Sequence, residues 1–271
     1  PEDEWLEGRR RGIGGSEAAA ILGVSPFATA RDLYYDKLKI VSYEDPESNW
    51  VQKKMGHLLE DLVAEIFHRK TGYRIYQIKK MFYHPEHPYM LADIDYFIEL
   101  PNGKTAILEI KTTNYNAKDH WWRDGEEIVP INYEIQGRHY MCVMNVDEVY
   151  YCCLYGNNEN EVIIRHIERD MDYEAELISL EGEFWHGNVE KGVYGYLSSR
   201  LIKGVGEKTA ALIVDRFGAD ALRVLENEPE RLLKIRGITP DKLEDIKASY
   251  AENRCVRDLM ILLTPFNVTP T

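Results

Sequence analysis

Apolar and polar positions alternate most sharply between Met90 and Thr113, MLADIDYFIELPNGKTAILEIKTT. Two strands joined at Pro101-Asn102-Gly103 are read there. Proline suits the first central position of a type I turn and glycine the left-handed residue that closes a three-residue loop, so Leu100 pairs with Lys104. This register sets Asp95 opposite Glu109, whereas closure over Asn102-Gly103 alone would set it opposite Ile110. Since side chains alternate, Glu109 and Lys111 share a face with Asp95, and Leu108 and Ile110 turn into a core.

Elsewhere the spacing is helical. Asn49 to Arg69 carries Val51, Met55, Leu58, Leu59, Leu62 and Ile66 as one apolar stripe. Glu60 sits at its edge, one turn after Gly56, where a missing side chain admits another element and lets Glu60 reach the acidic face; an edge glutamate with no such role fits the same pattern. Tyr73 to Tyr83 alternates as a strand. Pro130 opens a helix with Tyr133, Gln136 and Tyr140 on one face. Val146 to Tyr155 and Glu161 to Ile167 are strands, and Asp172 to Val189 is an amphipathic helix. The order predicts an α/β layer with its carboxylates in the middle of the sheet.

Two further stretches carry chemistry. Arg9, Arg10 and Arg11 precede GIGGSEAAAILG (Gly12 to Gly23), with Ser16 as the expected N-cap; open helix-start amides beside cations suit a phosphate, but taken alone the pattern favours an ordinary capped helix after a charged tail. His120, Trp121 and Trp122 lie on a loop able to touch nucleotides or to cover the core edge. His84 and His87 belong to a proline-rich turn.

Composition narrows the class. A 271-residue chain with 44% hydrophobic residues buries a full core and is expected to hold more than one domain. It opens at Pro1, read as a trimmed start. With no apolar run of about 18 residues and no signal-like opening, a soluble cytoplasmic protein of a bacterial or phage-infected host cell is expected. The four cysteines lack zinc or iron–sulfur spacing. The net charge of -13 excludes a generic nucleic-acid coat but is uneven: residues 194–271 hold 12 Lys and Arg against 11 Asp and Glu, and the preceding 193 residues hold 21 against 35. Such a body meets DNA through local patches and metal ions.

Like charges opposite each other destabilise a ladder by roughly 0.2–1 kcal/mol. A divalent cation removes the conflict between Asp95 and Glu109, and an oxygen-only donor set suits Mg²⁺ or Mn²⁺. A solvated acidic hairpin with Lys111 paired to Asp93 accommodates the same residues.

The C-terminal region repeats with a 33-residue offset. Ile202-Lys203-Gly204-Val205-Gly206 with Ala210 and Ile213 matches Ile235-Arg236-Gly237-Ile238-Thr239 with Leu243 and Ile246. Each half reads as helix, tight turn, helix, the glycines permitting close approach of a phosphate. This is the helix-hairpin-helix pattern, with Thr239 in place of the second glycine of its second copy. A compact helical docking module is the other reading.

Glu60, the Asp95 strand, Glu109-x-Lys111 and Gln136 with Tyr140 resemble the PD-(D/E)xK nucleases. More narrowly, GIGGSEAAAILG, GHLLED, LADIDYF, LEIKTT and PINYEIQGRHYM resemble the YqaJ-like viral recombination exonucleases, relatives of lambda exonuclease, over roughly residues 9–190. YLSSRLIKGVGEKTAALIVDRFGADALRVLENEPERLLKIRGI is similar to the tandem helix-hairpin-helix segment of RecD-type helicases, without any helicase motor. The resemblance implies an α/β restriction-endonuclease-like core with a mixed central sheet flanked by helices (1–192) and an all-α DNA-binding domain (193–271). It implies a Mg²⁺-dependent exonuclease, 5′ to 3′, that resects linear duplex DNA for a single-strand annealing protein, with a homo-oligomer, a trimeric ring, as the family's assembly. Asp95 and Glu109, with Glu60, would hold one or two Mg²⁺ ions, Mn²⁺ substituting. Lys111 would act on the attacking water or the phosphate, and Gln136 would support it. Arg11 and Ser16 would take a 5′-phosphate, and Lys203, Gly204, Gly206, Lys208, Arg236 and Gly237 would meet the duplex. Ile94 replaces the proline that names the motif. A structure-specific endonuclease with the same chemistry, or a non-catalytic recombination scaffold, are the other readings.

Overall fold

The computed structural model describes residues 7–39 and 50–263; Pro1 and Asn49 lie outside them. In chain order the strands are β1 (Ile13–Gly14), β2 (Arg74–Tyr76), β3 (Phe82–Tyr83), β4 (Met90–Ala92), β5 (Tyr96–Glu99), β6 (Thr105–Thr112), β7 (Trp122–Arg123), β8 (Glu126–Glu127), β9 (Glu148–Leu154) and β10 (Val162–Glu168). The first helices are α1 (Gly15–Ile21), α2 (Ala30–Lys37), α3 (Trp50–Thr71), α4 (Ile131–Met144) and α5 (Met171–Phe184).

The described residues fall into two compact units, one of residues 12–30 and 50–181, the other of 7–11, 31–39 and 182–263. These bounds differ from a single division at 192. Within the second unit Lys37 Nζ donates to Arg9 O at 3.0 Å, and the Tyr34 hydroxyl donates to Ile261 O at 3.2 Å. Contacts between segments distant in sequence leave no trace in a local hydrophobic pattern.

The first unit is built on a five-stranded mixed sheet, β10-β9-β6-β5-β2, in which only β6 and β9 run parallel. The loop chemistry fixes its central hairpin. Leu100 N–H donates to Lys104 O at 2.9 Å, Gly103 is left-handed at φ 79°, and the ladder pairs Tyr96 with Leu108. One step further, Asp95 stands opposite Glu109. Val63, Ala64 and Phe67 of α3 pack on Leu108, Ile110 and Cys152, so α3 covers one face of the sheet and leaves Glu109 and Lys111 on the other.

Three expectations are corrected. Met90 to Leu100 is not one strand: β4 joins a second sheet, β1-β4-β3, and the chain changes sheets across Asp93 to Asp95. Tyr73 to Tyr83 divides in the same way between β2 and β3. The expected stripe of α3 also splits. Of its members only Leu59 and Ile66 pack, partly buried, against the core; Val51, Met55, Leu58 and Leu62 are exposed, and the face turned to the sheet is that of Val63, Ala64 and Phe67, in the C-terminal half of the helix.

In the second unit a π-helical turn at Trp185–Glu190 leads into α6 (Lys191–Ser198), followed by α7 (Glu207–Phe217), α8 (Ala221–Asn227), α9 (Pro240–Glu252) and α10 (Arg254–Leu263). The 33-residue repeat is structural. Ile202, Val205, Ala210 and Ile213 are buried, as are Ile235, Ile238, Leu243 and Ile246. Val205 N–H donates to Ile202 O at 3.1 Å and Ile238 N–H to Ile235 O at 3.2 Å, with Gly204 and Gly237 left-handed at φ 87° and 91°. The copies differ at the following helix. Gly206 offers α7 no side-chain cap, whereas the Thr239 hydroxyl accepts from Lys242 N–H and Pro240 removes an amide from the first turn of α9.

Candidate active site

The sheet change at Asp95 creates the site. The Leu100–Lys104 bond makes 98/106, 96/108 and 94/110 the hydrogen-bonded pairs of the ladder, but residue 94 has left it. Asp95 Oδ2 takes over and accepts from Ile110 N–H at 2.8 Å. The carboxylate is thus held against β6 by the backbone defect that exposes it.

On β6, Glu109 is 1% exposed and Lys111 15%. Lys111 Nζ donates to Glu109 Oε2 at 3.0 Å and to Gln136 Oε1 at 3.1 Å, and lies 5.0 Å from the centre of the Tyr133 ring. Gln136 Nε2 donates to the Tyr140 hydroxyl at 3.3 Å. The helical spacing of Tyr133, Gln136 and Tyr140 therefore delivers one face of α4 to the lysine. Glu109 Oε1 is buried with no hydrogen-bond partner.

Charge on this face is unbalanced. Burial first, then the charge of Asp95, pushes the Glu109 carboxyl up to about 8 against the pull of Lys111. Burial also raises Asp95, opposed by Lys111 and by the Ile110 N–H and assisted by Asp93. Burial alone would depress Lys111, but Glu109 and Asp95 outweigh it and hold it above its ordinary value. These directions agree physically: one lysine cannot neutralise both Asp95 and Glu109, so the lysine stays charged and a carboxyl holds a proton.

Glu60 approaches from α3, on the opposite side of the sheet. Its carboxyl is raised by burial and then by Asp95, and its Oε1 accepts from Gln77 Nε2 at 3.1 Å. Among the described residues no three His, Cys, Asp or Glu side chains gather closely enough to share an ion, so the expected Glu60, Asp95 and Glu109 cluster is not assembled. The groups able to hold a cation together are Asp95 and Glu109. Gly56 does not admit a close neighbour either; a Cβ there would meet Thr112 Oγ1 at an ordinary 3.6 Å.

The remaining expected residues divide. Ser16 is not an N-cap: Gly14 precedes α1, its N–H bonded to Glu17 Oε2 at 2.8 Å, and Ser16 lies exposed in the first turn. The small residues of this motif serve packing. A Cβ on Gly15 would lie 2.4 Å from the Tyr140 ring, and Ala18 and Ala19 pack on Ile135. Arg11 belongs to the other unit, 3.8 Å from Asp220. Lys203, Gly204, Gly206, Lys208, Arg236 and Gly237 lie exposed on the two helical hairpins, with Lys203 Nζ 2.9 Å from Asp245. Asp93, at period-two spacing from Asp95, adds a like charge that raises both Asp95 and Glu109. Gln77 and His139 gave no signal in the sequence, since their partners come from remote segments.

Comparison with known proteins places these features. The chain is 37% identical to the uncharacterized protein YqaJ of Bacillus subtilis over 193 residues, 70% of this chain and 57% of that protein. It therefore spans little more than half the length of that relative. It is 27% identical over 115 residues, 42% of this chain, to the ATP-dependent RecD2 DNA helicase of Deinococcus radiodurans, of which it covers 16%. The crystal structure of the alkaline exonuclease LHK-Exo from Laribacter hongkongensis, and that of LHK-Exo in complex with dAMP, each align at TM-score 0.55 and 17% identity, over 68% of this chain and 91% of theirs. The core thus has the fold of that exonuclease. Residues 4–147 match the model of the YqaJ-like viral recombinase domain, and the chain belongs to that family.

Proposed function

We propose that the chain is a divalent-metal-dependent DNA exonuclease that resects one strand of linear duplex from its 5′ end, with the helical repeat as a sequence-independent duplex grip. The observation that carries this reading is the pair of acids at the entry to β5 and on β6: Asp95 and Glu109 face one lysine, and buried Glu109 Oε1 lacks a partner. The donor set fits Mg²⁺ or Mn²⁺, which prefer carboxylate oxygen. Asp95 and Glu109 would hold the ion, with Glu60 beside Asp95. When bound, such a cation lowers the pKa of water and neutralises phosphate oxygens. Lys111 directs its ammonium hydrogens at the developing phosphate charge or at the attacking water. Gln136, set by Tyr140, keeps Lys111 from collapsing wholly onto Glu109.

The first helical hairpin is the better grip. Its helix α7 starts at Gly206 with amides that no side chain caps, beside Lys203, Gly204 and Lys208. In the second, Thr239 and Pro240 consume that capacity, leaving Arg236 and Gly237 as supporting contacts. The exposed Lys203–Asp245 pair is worth about 0–1 kcal/mol and exchanges readily for phosphate. The similarity to a RecD2 helicase supports this assignment. A single-strand annealing protein would take the product. Self-association, a trimer by resemblance, would have the exposed Val51, Met55, Leu58 and Leu62 to cover.

Digestion of linear duplex with and without 5′-phosphates, in Mg²⁺ or EDTA, beside a closed circle, tests the reading. Metal-dependent loss from 5′ ends with the circle spared is expected. Cutting of the circle means an endonuclease, and no cutting in Mg²⁺ or Mn²⁺ means a binding scaffold.

A further inference from the structure

His139 lies on α4, three residues after Gln136, with no exposed surface and both ring nitrogens engaged. Nε2 is 2.7 Å from Leu91 O, and Nδ1 is 2.7 Å from Glu181 Oε1 on α5. A carbonyl only accepts, so Nε2 carries a hydrogen. The contact between Nδ1 and the carboxyl then requires one more proton, on the ring or on Glu181. Glu181 Oε2 has no hydrogen-bond partner, so the carboxyl is spent on this ring.

The placement matters because of what each partner carries. Leu91 belongs to β4, from which the chain continues through Asp93 to Asp95. His139 shares α4 with Gln136, which accepts from Lys111. One imidazole therefore ties the segment bearing two acids of the face to the helix bearing the lysine's partner. The charges facing the ring are Glu181 on α5 and Glu17 on α1, with His84 acting from the turn before β4 and Glu174 acting in turn on His84.

We propose that His139, held by Glu181, is a positioning residue that fixes the Asp93–Asp95 segment relative to the Gln136–Lys111 pair, an inference that rests on the nuclease reading for its catalytic consequence. Removing such an outer partner of metal-binding groups lowers metal affinity about 10–100-fold. Glu181→Gln is the conservative counterpart. Its amide donates to Nδ1 while Nε2–H still reaches Leu91 O, so the bridge persists without a shared proton.

The test compares the parent, His139→Ala and Glu181→Gln by amide hydrogen-exchange protection across Met90–Asp95 and by Mn²⁺ binding in calorimetry. In His139→Ala, folded by circular dichroism, we expect protection of Met90–Asp95 to fall at least about tenfold and Mn²⁺ affinity to fall about 10–100-fold. In Glu181→Gln both stay close to the parent at pH 7, because the amide keeps the bridge. Unchanged protection in His139→Ala overturns the proposal. Should that variant not fold, His139→Leu combined with Glu181→Leu, which fills the space and removes both buried charges, takes its place, and unchanged protection of Met90–Asp95 there overturns the proposal equally. Lost protection in His139→Ala together with a parent that binds no Mn²⁺ upholds the positioning role and sinks the metal reading.

Discussion

Two buried acids flank α4, and their surroundings are opposites. Glu181 meets one imidazole at 2.7 Å, and that imidazole's other nitrogen reaches a backbone carbonyl. Glu109 shares one lysine with a second acid, Asp95, whereas Glu181 has its imidazole to itself; each of the two buried acids keeps one oxygen with no hydrogen-bond partner. Neither acid is exposed by more than 1%. The first pair is closed within the protein, and its removal leaves an uncompensated buried group. In the second, two carboxyls face one lysine, and the proposed cation would balance the remaining charge. Burial of charge thus fits a structural tie in one place and the proposed site in the other, and the number of acids that share one cationic partner separates them.

Stability measurements should separate the two most widely. Breaking a buried ionic pair costs about 3–5 kcal/mol, so His139→Ala should lower the unfolding free energy by that order in urea. Glu109→Gln, whose amide imitates the protonated carboxyl already favoured there, should stay within about 1 kcal/mol of the parent at pH 7 without metal. Similar losses from both variants would remove the contrast.

The pH dependence sharpens it. Above about 6.5, where an unfolded histidine is neutral, the unfolded chain holds no proton on either member of the His139–Glu181 pair, whereas the folded pair retains one. A group with a raised folded pKa stabilises below its unfolded value and loses that contribution as pH rises through the folded value. His139 is raised because the Glu181 charge and bond outweigh burial. Metal-free stability should therefore decline from about pH 6.5 upward. Glu109, raised from its ordinary 4.5 to about 8, has the same sign over a lower window. Thermal unfolding between pH 5 and pH 9 should show a slope that Glu109→Gln reduces below pH 8 and Glu181→Gln reduces above pH 6.5. A flat profile in the parent contradicts both.

The smallest effect belongs to Tyr140→Phe. It keeps the ring against Gly15 but removes the oxygen that accepts from Gln136. A hydrogen bond worth about 1 kcal/mol predicts a roughly fivefold slower single-turnover cleavage, with DNA affinity unchanged.

The local chemistry of Pro101-Asn102-Gly103 made the register legible, and with it the face of Asp95, Glu109 and Lys111; the spacing of Tyr133, Gln136 and Tyr140 brought α4 to that face. What stayed hidden depends on contacts remote in sequence. The sheet change at Asp93 to Asp95 lies inside an unbroken apolar alternation. His139 finds its partners at Leu91 and Glu181, 48 and 42 residues away. Ser16 misled because Ser before an alanine run reads as a cap, whereas the Glu17 carboxylate secures Gly14 and starts the helix earlier. On α3 the periodicity reported which residues are apolar, but the face turned to the sheet set which of them are covered.

Lys111→Ala tests the central claim most directly. Cleavage of linear duplex in Mg²⁺ and binding of the same duplex in EDTA are measured on parent and variant together. The account predicts that cleavage is lost while binding stays within about twofold, since one exposed-side contact among several carries little affinity. A variant that cuts at the parental rate contradicts it.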